Sequence, residues 1–374
     1  MRLHVGQRHE RVISLVRERG SLRVADLAEE LGVSPVTLRR DVETLATQGR
    51  LRRVHGSVVW PCAETGGRGT PVDTPAPAPL PAKARDAEGL VAGMLVPTLD
   101  HPFDRIVQGA RDALEARGGR LVLGLSGHAE GDAQQAGRLV AAGADGVLLV
   151  PGPDGDGRIA GSGVPVVLVE RQAPPGSPAA DLDHVRCDDA HGAATAVRHL
   201  ASLGHRSVAL VLRDAARARQ LAAGHAAAVE ALELTPAPGS PYSAPAPLPE
   251  AERTALTADH LRALAEEHGV RAVLLHDDQF AVVLVPRLRA LGVLVPEDLA
   301  IVVHGDRVAG LADPPLTAVA PPERAVGEAA AALLLQRIAE RGSGDSRPRG
   351  HLDLLPSLRV RASCGALLRA AGRA

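Results

Sequence analysis

The sequence predicts two parts of different fold class: a small α+β head and a larger α/β body built on parallel sheets. Three observations predict it. A net basic excess is confined to the first 59 residues, which hold eleven Arg and no Lys against seven acidic residues. A Pro- and Gly-rich run follows, in which no core can form. From Gly89 onward, apolar strands alternate with amphipathic helices. The chain has 374 residues, enough for two or three domains with ample core. Hydrophobic residues make up 45% and aromatics only 1%, so the core is made of Ala, Val and Leu.

The head reads as three short helices and a hairpin. In "HERVISLVRERG", Val12, Ile13 and Val16 share a face and Gly20 is a stop. "RVADLAEELG" repeats the pattern with Val24, Leu27, Ala28 and Leu31. After the turn "LGVS", Ser34 is a natural N-cap and Pro35 fits the first helical position. Leu38, Val42 and Leu45 then face the core, so Arg39 and Arg40 point elsewhere. "GRLRRVHGSVVW" reads as two short strands and a turn.

Residues 61–86 read as a semi-stiff linker. The body's strands are "LVAGMLVP", "RLVLGLS", "DGVLLVP", "VPVVLVE", "SVALVL", "RAVLLHD" and "LAIVVHGD". Between them lie helices such as "PFDRIVQGARDALEARGG", "DAQQAGRLVAAGA", "GAATAVRHLASLGH" and "VVLVPRLRALGV". Strands apolar on both faces mean a parallel sheet covered on both sides. Such sheets bind ligands at the carboxyl ends of their strands. The body's size calls for two lobes. The insertion "LTPAPGSPYSAPAPLPEAE" is expected to be a poorly ordered surface loop.

A helix, a tight turn, a second helix bearing arginines and a basic hairpin fit insertion of that second helix into the DNA major groove. The bland alternative is a helical bundle with a solvated charged face. The spelling favours DNA. "VSPVTLRRD" and "RVHG" resemble the winged helix-turn-helix of DeoR-type bacterial repressors over residues 8–59. The resemblance puts Ser34, Thr37, Arg39 and Arg40 at the surface of double-stranded operator DNA, with Arg53 and His55 in the wing. Ser57 replaces the family's second wing glycine. Arginine binds guanine bidentately or clamps phosphate. DNA repels Asp41, which is expected to orient a neighbouring arginine.

The body resembles the effector domain of the lactose/galactose-repressor (LacI/GalR-type) family, whose fold is periplasmic-binding-protein-like. "LGHRSVAL" and "GVLVPEDLAIVVHGD" followed by "PPLTAV" carry the likeness. The resemblance implies domains at 1–60, 87–366 (effector binding and dimerisation) and a tail at 367–374, as a homodimer or higher homo-oligomer. It implies a two-lobed cleft for a carbohydrate-like small molecule, lined by His101, Phe103, Asp104, Glu170, Arg171, Asp277 and Asp306. Carboxylates and an arginine suit sugar hydroxyls, and Phe103 offers an apolar platform. The departures alter this pocket. His101-Pro102-Phe103-Asp104 stands for Asn-Pro-Phe-Phe, and Asp277-Asp278 for Asn-Asp. Leu221 takes the place of the effector-binding arginine, with Arg219 two residues away. The bland alternative for each cleft residue is a solvated strand-end group, and Phe280 reads as core.

The remaining motifs give no catalytic residue, no metal site and no cofactor. Cys62, Cys187 and Cys364 form no C-x-x-C pair. "GPDGDGR" lacks a calcium loop's closing glutamate and reads as a turn. No leader-like apolar run or membrane span is found, which predicts a cytoplasmic protein. The expected function is a ligand-controlled transcription regulator, with repression the better expectation. A sugar-metabolising enzyme with a DNA-binding head is the alternative.

Overall fold

The computed structural model describes two units, Met1–Thr74 and Pro75–Ala374. In the first, the described residues are 9, 11–13, 15, 21–23, 27–28, 31, 33–34, 37–38, 40–42, 45, 52–54 and 57–59. In the second they are 89–97, 103–125, 131–151, 163–170, 176, 178–213, 215–343 and 347–366. The linker at 61–86 and the tail at 367–374 lie outside them, as do Val16, Val24 and "GPDGDGR".

The head's core follows the apolar spacing. Val12, Leu15, Leu27, Ala28, Leu38, Val42 and Leu45 are buried together, with Ile13, Leu31 and Val33 against them. The hairpin forms from β2 (Arg52–Val54) and β3 (Ser57–Val59), antiparallel. A third strand, β1 (Ser21–Arg23), pairs with β3. Three residues carry no readable alternation, so the sequence did not announce it.

The body holds two sheets. The six-stranded sheet has the order β13-β8-β7-β6-β4-β5, with every pair parallel. Its strands are β4 (Val91–Val96), β5 (Arg120–Leu125), β6 (Gly146–Leu149), β7 (Val166–Val169), β8 (Asp183–Cys187) and β13 (His351–Leu354). The five-stranded sheet has the order β14-β12-β11-β10-β9. It is built from β9 (Ala209–Val211), β10 (Ala272–Leu275), β11 (Ala300–His304), β12 (Thr317–Ala320) and the antiparallel edge β14 (Ser357–Arg359).

Seven helices of the described body cover these sheets. They are α1 (Asp104–Glu115), α2 (Gly131–Ala141), α3 (Asp189–Ser202), α4 (Ala215–Ala231), α5 (Glu250–His268), α6 (Asp278–Ala290) and α7 (Glu323–Ser343). Helices α1 and α7 pack on one face of the six-stranded sheet through Ile106, Leu114, Val326 and Leu334, and α2 covers the other. Helices α3 and α4 cover one face of the five-stranded sheet, α5 and α6 the other. The backbones of α1 and α7 touch. A Cβ on Gly109 would strike the Arg324 carbonyl, and one on Gly327 the Ile106 carbonyl, so only glycine fits at either place.

The chain passes between the lobes three times. It leaves the first lobe between β8 and α3, returns between β12 and α7, and leaves again between β13 and β14. All three crossings lie beside the carboxyl ends of parallel strands, where the lobes face each other.

Two differences from the sequence reading have plain causes. The Pro-rich insertion is not a loose loop. Tyr242 bridges to Val211, its N–H donating to the Leu210 carbonyl at 2.8 Å and its carbonyl accepting from Leu212 N at 2.8 Å. Ser240 Oγ accepts from Leu210 N at 2.9 Å. The segment thus satisfies the exposed edge of β9 at residues that are not proline. Strand β8, in turn, has no apolar run to betray it, because Asp183, His184 and Arg186 interrupt it. Arg337 makes it possible, donating twice to the buried Asp183 carboxylate at 2.7 and 2.8 Å.

Candidate functional site

In the head, Ser34 is the cap the sequence calls for. Its Oγ accepts from the Thr37 N–H at 3.1 Å and lies 2.8 Å from Thr37 Oγ1. Ser34, Thr37 and Arg40 are exposed. The buried residues Leu38, Val42 and Leu45 hold the opposite face of that helix. Asp41 is buried, and its described partner is His9, with His9 Nε2 at 3.1 Å from Oδ1. Arg53 lies on β2. Arg39 and His55 lie outside the described residues.

In the body, charged groups converge between the lobes. Glu170 directly follows β7 in the first lobe; Asp189 opens α3 and Arg217 sits in the first turn of α4 in the second. Arg217 Nη2 donates to Glu170 Oε2 at 2.7 Å, and its Nε lies 3.7 Å from Asp189 Oδ2. His304, at the end of β11, places Nε2 at 3.2 Å from Asp189 Oδ1. Arg307 reaches back to the first lobe, donating to Asp104 Oδ1 at 2.5 Å and to Glu323 Oε2 at 3.2 Å. Asp278 aims Arg307: its Oδ2 accepts from the N–H groups of Arg307, Val308 and Ala309 at 2.7, 2.7 and 3.1 Å.

The electrostatics follow from burial. Desolvation pushes the Glu170 carboxyl up, with Asp189 and Glu323 adding to it and Arg217 opposing. Burial raises Glu323 likewise, against Arg307 and Arg217. Burial works on Asp189 too, but Arg217 and His304 outweigh it and hold that carboxyl low. His276 is pushed down to about 4 by burial, His304 and Arg217, so it is neutral near pH 7. Glu170 also has φ +65°, a left-handed backbone that a side chain tolerates at a cost of roughly 1–2 kcal/mol. Such strain collects at sites where surrounding contacts over-determine a residue.

The other expected cleft residues are placed differently. Phe103 is buried in the core under α1 with Met94, Val96 and Ile106, so its ring is packed rather than displayed as a platform. Asp277 caps α6, accepting from Gln279 N at 2.8 Å and Phe280 N at 3.2 Å. Asp306 is held by Arg359 at 2.8 Å and Arg361 at 2.7 Å, on the β14 side. Phe280 is core, with the Arg213 guanidinium 4.5 Å above its ring. His101 and Arg171 lie outside the described residues.

Arg217, Asp189, His304, Arg307 and Glu323 were missed. For Arg217 the signal was present. Leu221 stands where an arginine was expected, and Arg217 is one helical turn before it on the same face. Arg219, two residues from Leu221, is turned away and exposed. Among the described residues no group of three or more His, Cys, Asp or Glu is placed to hold a metal ion. No helix among them is long and apolar enough to cross a membrane.

Two parallel-sheet lobes with a buried polar cleft at their strand ends, on one chain with a helix-turn-helix head, define the class of two-lobed, ligand-binding regulators. Residues 197–364 match the periplasmic binding protein-like domain, and residues 8–62 match the DeoR-like helix-turn-helix domain. The chain is 28% identical over 372 residues to the HTH-type transcriptional regulator MalR of Streptomyces coelicolor, covering 91% of this chain and 96% of that one. It is 30% identical over 281 residues to an HTH-type transcriptional regulator of Streptomyces limosus, covering 69% and 75%. The crystal structure of transcription regulator GntR from Chromobacterium violaceum matches with TM-score 0.58 and 30% identity, covering 74% of this chain and all of that one. The chain belongs to the HTH-type transcriptional regulators, with a DeoR-like helix-turn-helix head and a periplasmic binding protein-like body.

Proposed function

We propose that this protein is a transcription repressor whose head binds operator DNA and whose cleft binds a small polar effector that sets DNA affinity. The observation that carries this reading is the pair of cross-lobe contacts, Arg217 to Glu170 and Arg307 to Asp104. They lie where a ligand entering between the lobes displaces or bridges them, and so changes the lobe geometry. A ligand shifts such an equilibrium by at most its differential affinity for the two states. The relatives are named as regulators rather than enzymes, and we read the cleft as a sensor.

In this reading Ser34, Thr37, Arg39, Arg40, Arg53 and His55 face DNA. Residues 1–60 are the head, 61–86 a tether and 87–366 the sensor, which dimerises. Two tethered heads then engage paired half-sites at a raised effective concentration. The test is selection of preferred duplexes from a random pool by the full chain, followed by titration of sugars and sugar derivatives against the selected duplex. Enrichment of a two-fold-related sequence that one of these compounds releases supports the reading. No enriched sequence sinks it, and enrichment that no compound reverses sinks the effector half.

A further inference from the structure

An acidic residue sits in the buried stripe of the helix that carries Arg40. Leu38, Asp41, Val42 and Leu45 stand at positions i, i+3, i+4 and i+7, and all four are buried. Asp41 is 7% exposed, among three leucine and valine neighbours in the stripe that are at most 1% exposed. Its described partner comes from another part of the head: His9 Nε2 lies 3.1 Å from Asp41 Oδ1. His9 is helical and stands one turn before Val12, which is buried in the same core as Leu38 and Val42. The pair thus ties the first helix to the arginine-bearing helix across 32 residues of chain.

Stability does not call for this pair. Burying a carboxylate costs free energy unless it is paired, and replacing a buried ion pair by apolar side chains of similar size is often neutral or stabilising. The best-attested use of a buried polar group among apolar ones is to fix one arrangement of two helices, against the slides and rotations that Leu and Val permit. DNA binding gives no reason for the charge either, because phosphates repel it. Asp41 nevertheless directly follows Arg40, which is exposed, and lies one helical turn after Thr37, also exposed. Any rotation of this helix moves both of those side chains.

We propose that His9 and Asp41 are positioning residues for sequence readout: together they fix the rotation of the arginine-bearing helix against the first helix, and so the place of Thr37 and Arg40 on the base edges. This rests on the head binding operator DNA. Neither residue touches DNA in this reading; the pair acts through where it holds the helix. Leu38, Val42 and Leu45 supply the attraction of that helix to the core, and the pair selects one docking among several apolar ones. Loss of the pair therefore relaxes discrimination between sequences and leaves non-specific phosphate contacts in place.

The experiment compares the full chain with its variants on the duplex selected from a random pool and on a scrambled duplex of the same composition. His9→Leu combined with Asp41→Leu removes both partners at once, so neither is stranded. This double variant is expected to melt no lower than the parent and to lose at least about fivefold of the preference for the selected duplex, the lower range for one misaligned side chain–base pair. His9→Gln keeps a nitrogen donor within reach of Asp41 and is expected to retain most of the preference. A double variant that discriminates as the parent does overturns the proposal. So does a lost preference accompanied by a lower melting temperature, because the pair then serves folding alone. His9→Gln losing as much preference as the double variant overturns the part given to His9. A parent that prefers no duplex overturns the DNA reading, and this inference with it.

Discussion

Arg217 Nη2 and Glu170 Oε2 meet at 2.7 Å across the gap between the lobes, and Glu170 holds a left-handed backbone at φ +65°. The sequence places a charged residue where glycine suits the backbone better, and the arginine that balances it comes from the other lobe. Removing the arginine leaves a buried carboxylate stranded on a strained residue. Arg217→Met is therefore expected to lower stability by about 3 kcal/mol, the usual cost of breaking a buried pair on one side. Adding Glu170→Gly removes both the stranded charge and the strain, so the double variant should melt higher than the single one. A double variant that melts lower than Arg217→Met refutes the strained-partner account.

Asp183 gives the acid sensitivity of the first lobe. It is fully buried at the start of β8, bound by Arg337 at 2.7 and 2.8 Å, Arg349 at 2.8 Å and the Gly350 N–H at 2.9 Å. Burial pushes its carboxyl up, but Arg337, Gly350 and Arg349 outweigh that and hold it below its ordinary value of 3.8. A folded-state value below the unfolded one contributes stability that is complete above 3.8 and lost as pH falls through the folded value. Asp183→Asn should cost about 3 kcal/mol or more near neutrality. Urea titrations at descending pH should show the gap to wild type closing below pH 3.8. A gap that stays constant places the stability elsewhere.

Apolar periodicity is what a single chain displays, and it located the head's core and most body strands. Leu38, Val42 and Leu45 are buried as their spacing requires. The cleft was only partly legible. Glu170 was found because it ends a readable strand. Arg217 was not, because its partners lie 28 and 47 residues away along the chain, and the one local clue was its place a helical turn before Leu221. Asp277 and Asp306 carry the right chemistry at the right strand ends, yet a cap and two arginines engage them. Residue type and strand end together do not fix which way a carboxylate turns.

The head separates folding from DNA contact. Ser34→Ala removes the acceptor of the Thr37 N–H and should lower the head's stability by about 1 kcal/mol. Arg40→Ala removes an exposed cation, and its melting curve, recorded beside the parent's, separates any loss of folding from loss of binding. It should weaken binding to the selected duplex and reduce the salt slope by about 1, as loss of one phosphate contact does. An unchanged slope with weakened binding assigns Arg40 to a base edge. Unchanged binding removes it from the interface.

The last prediction concerns how Arg307 is aimed. One carboxylate oxygen of Asp278 gathers the N–H groups of Arg307, Val308 and Ala309. The turn tightens just before them at Gly305, with φ +111°, where an added Cβ would lie 3.0 Å from Asp278 Oδ1. Asp278→Ala strands three donors, each costing about 1 kcal/mol or more if buried, and frees the segment that carries Arg307. Asp278→Asn keeps one acceptor oxygen and should retain part of the function. Both should leave the head folded, because it has its own core. The effector concentration needed for DNA release should rise, more for Ala than for Asn. The same rise in Arg307→Gln would place the effect in the guanidinium that Asp278 aims at Asp104. If Asp278→Ala shifts the release curve while Arg307→Gln does not, Asp278 acts through the loop's backbone instead.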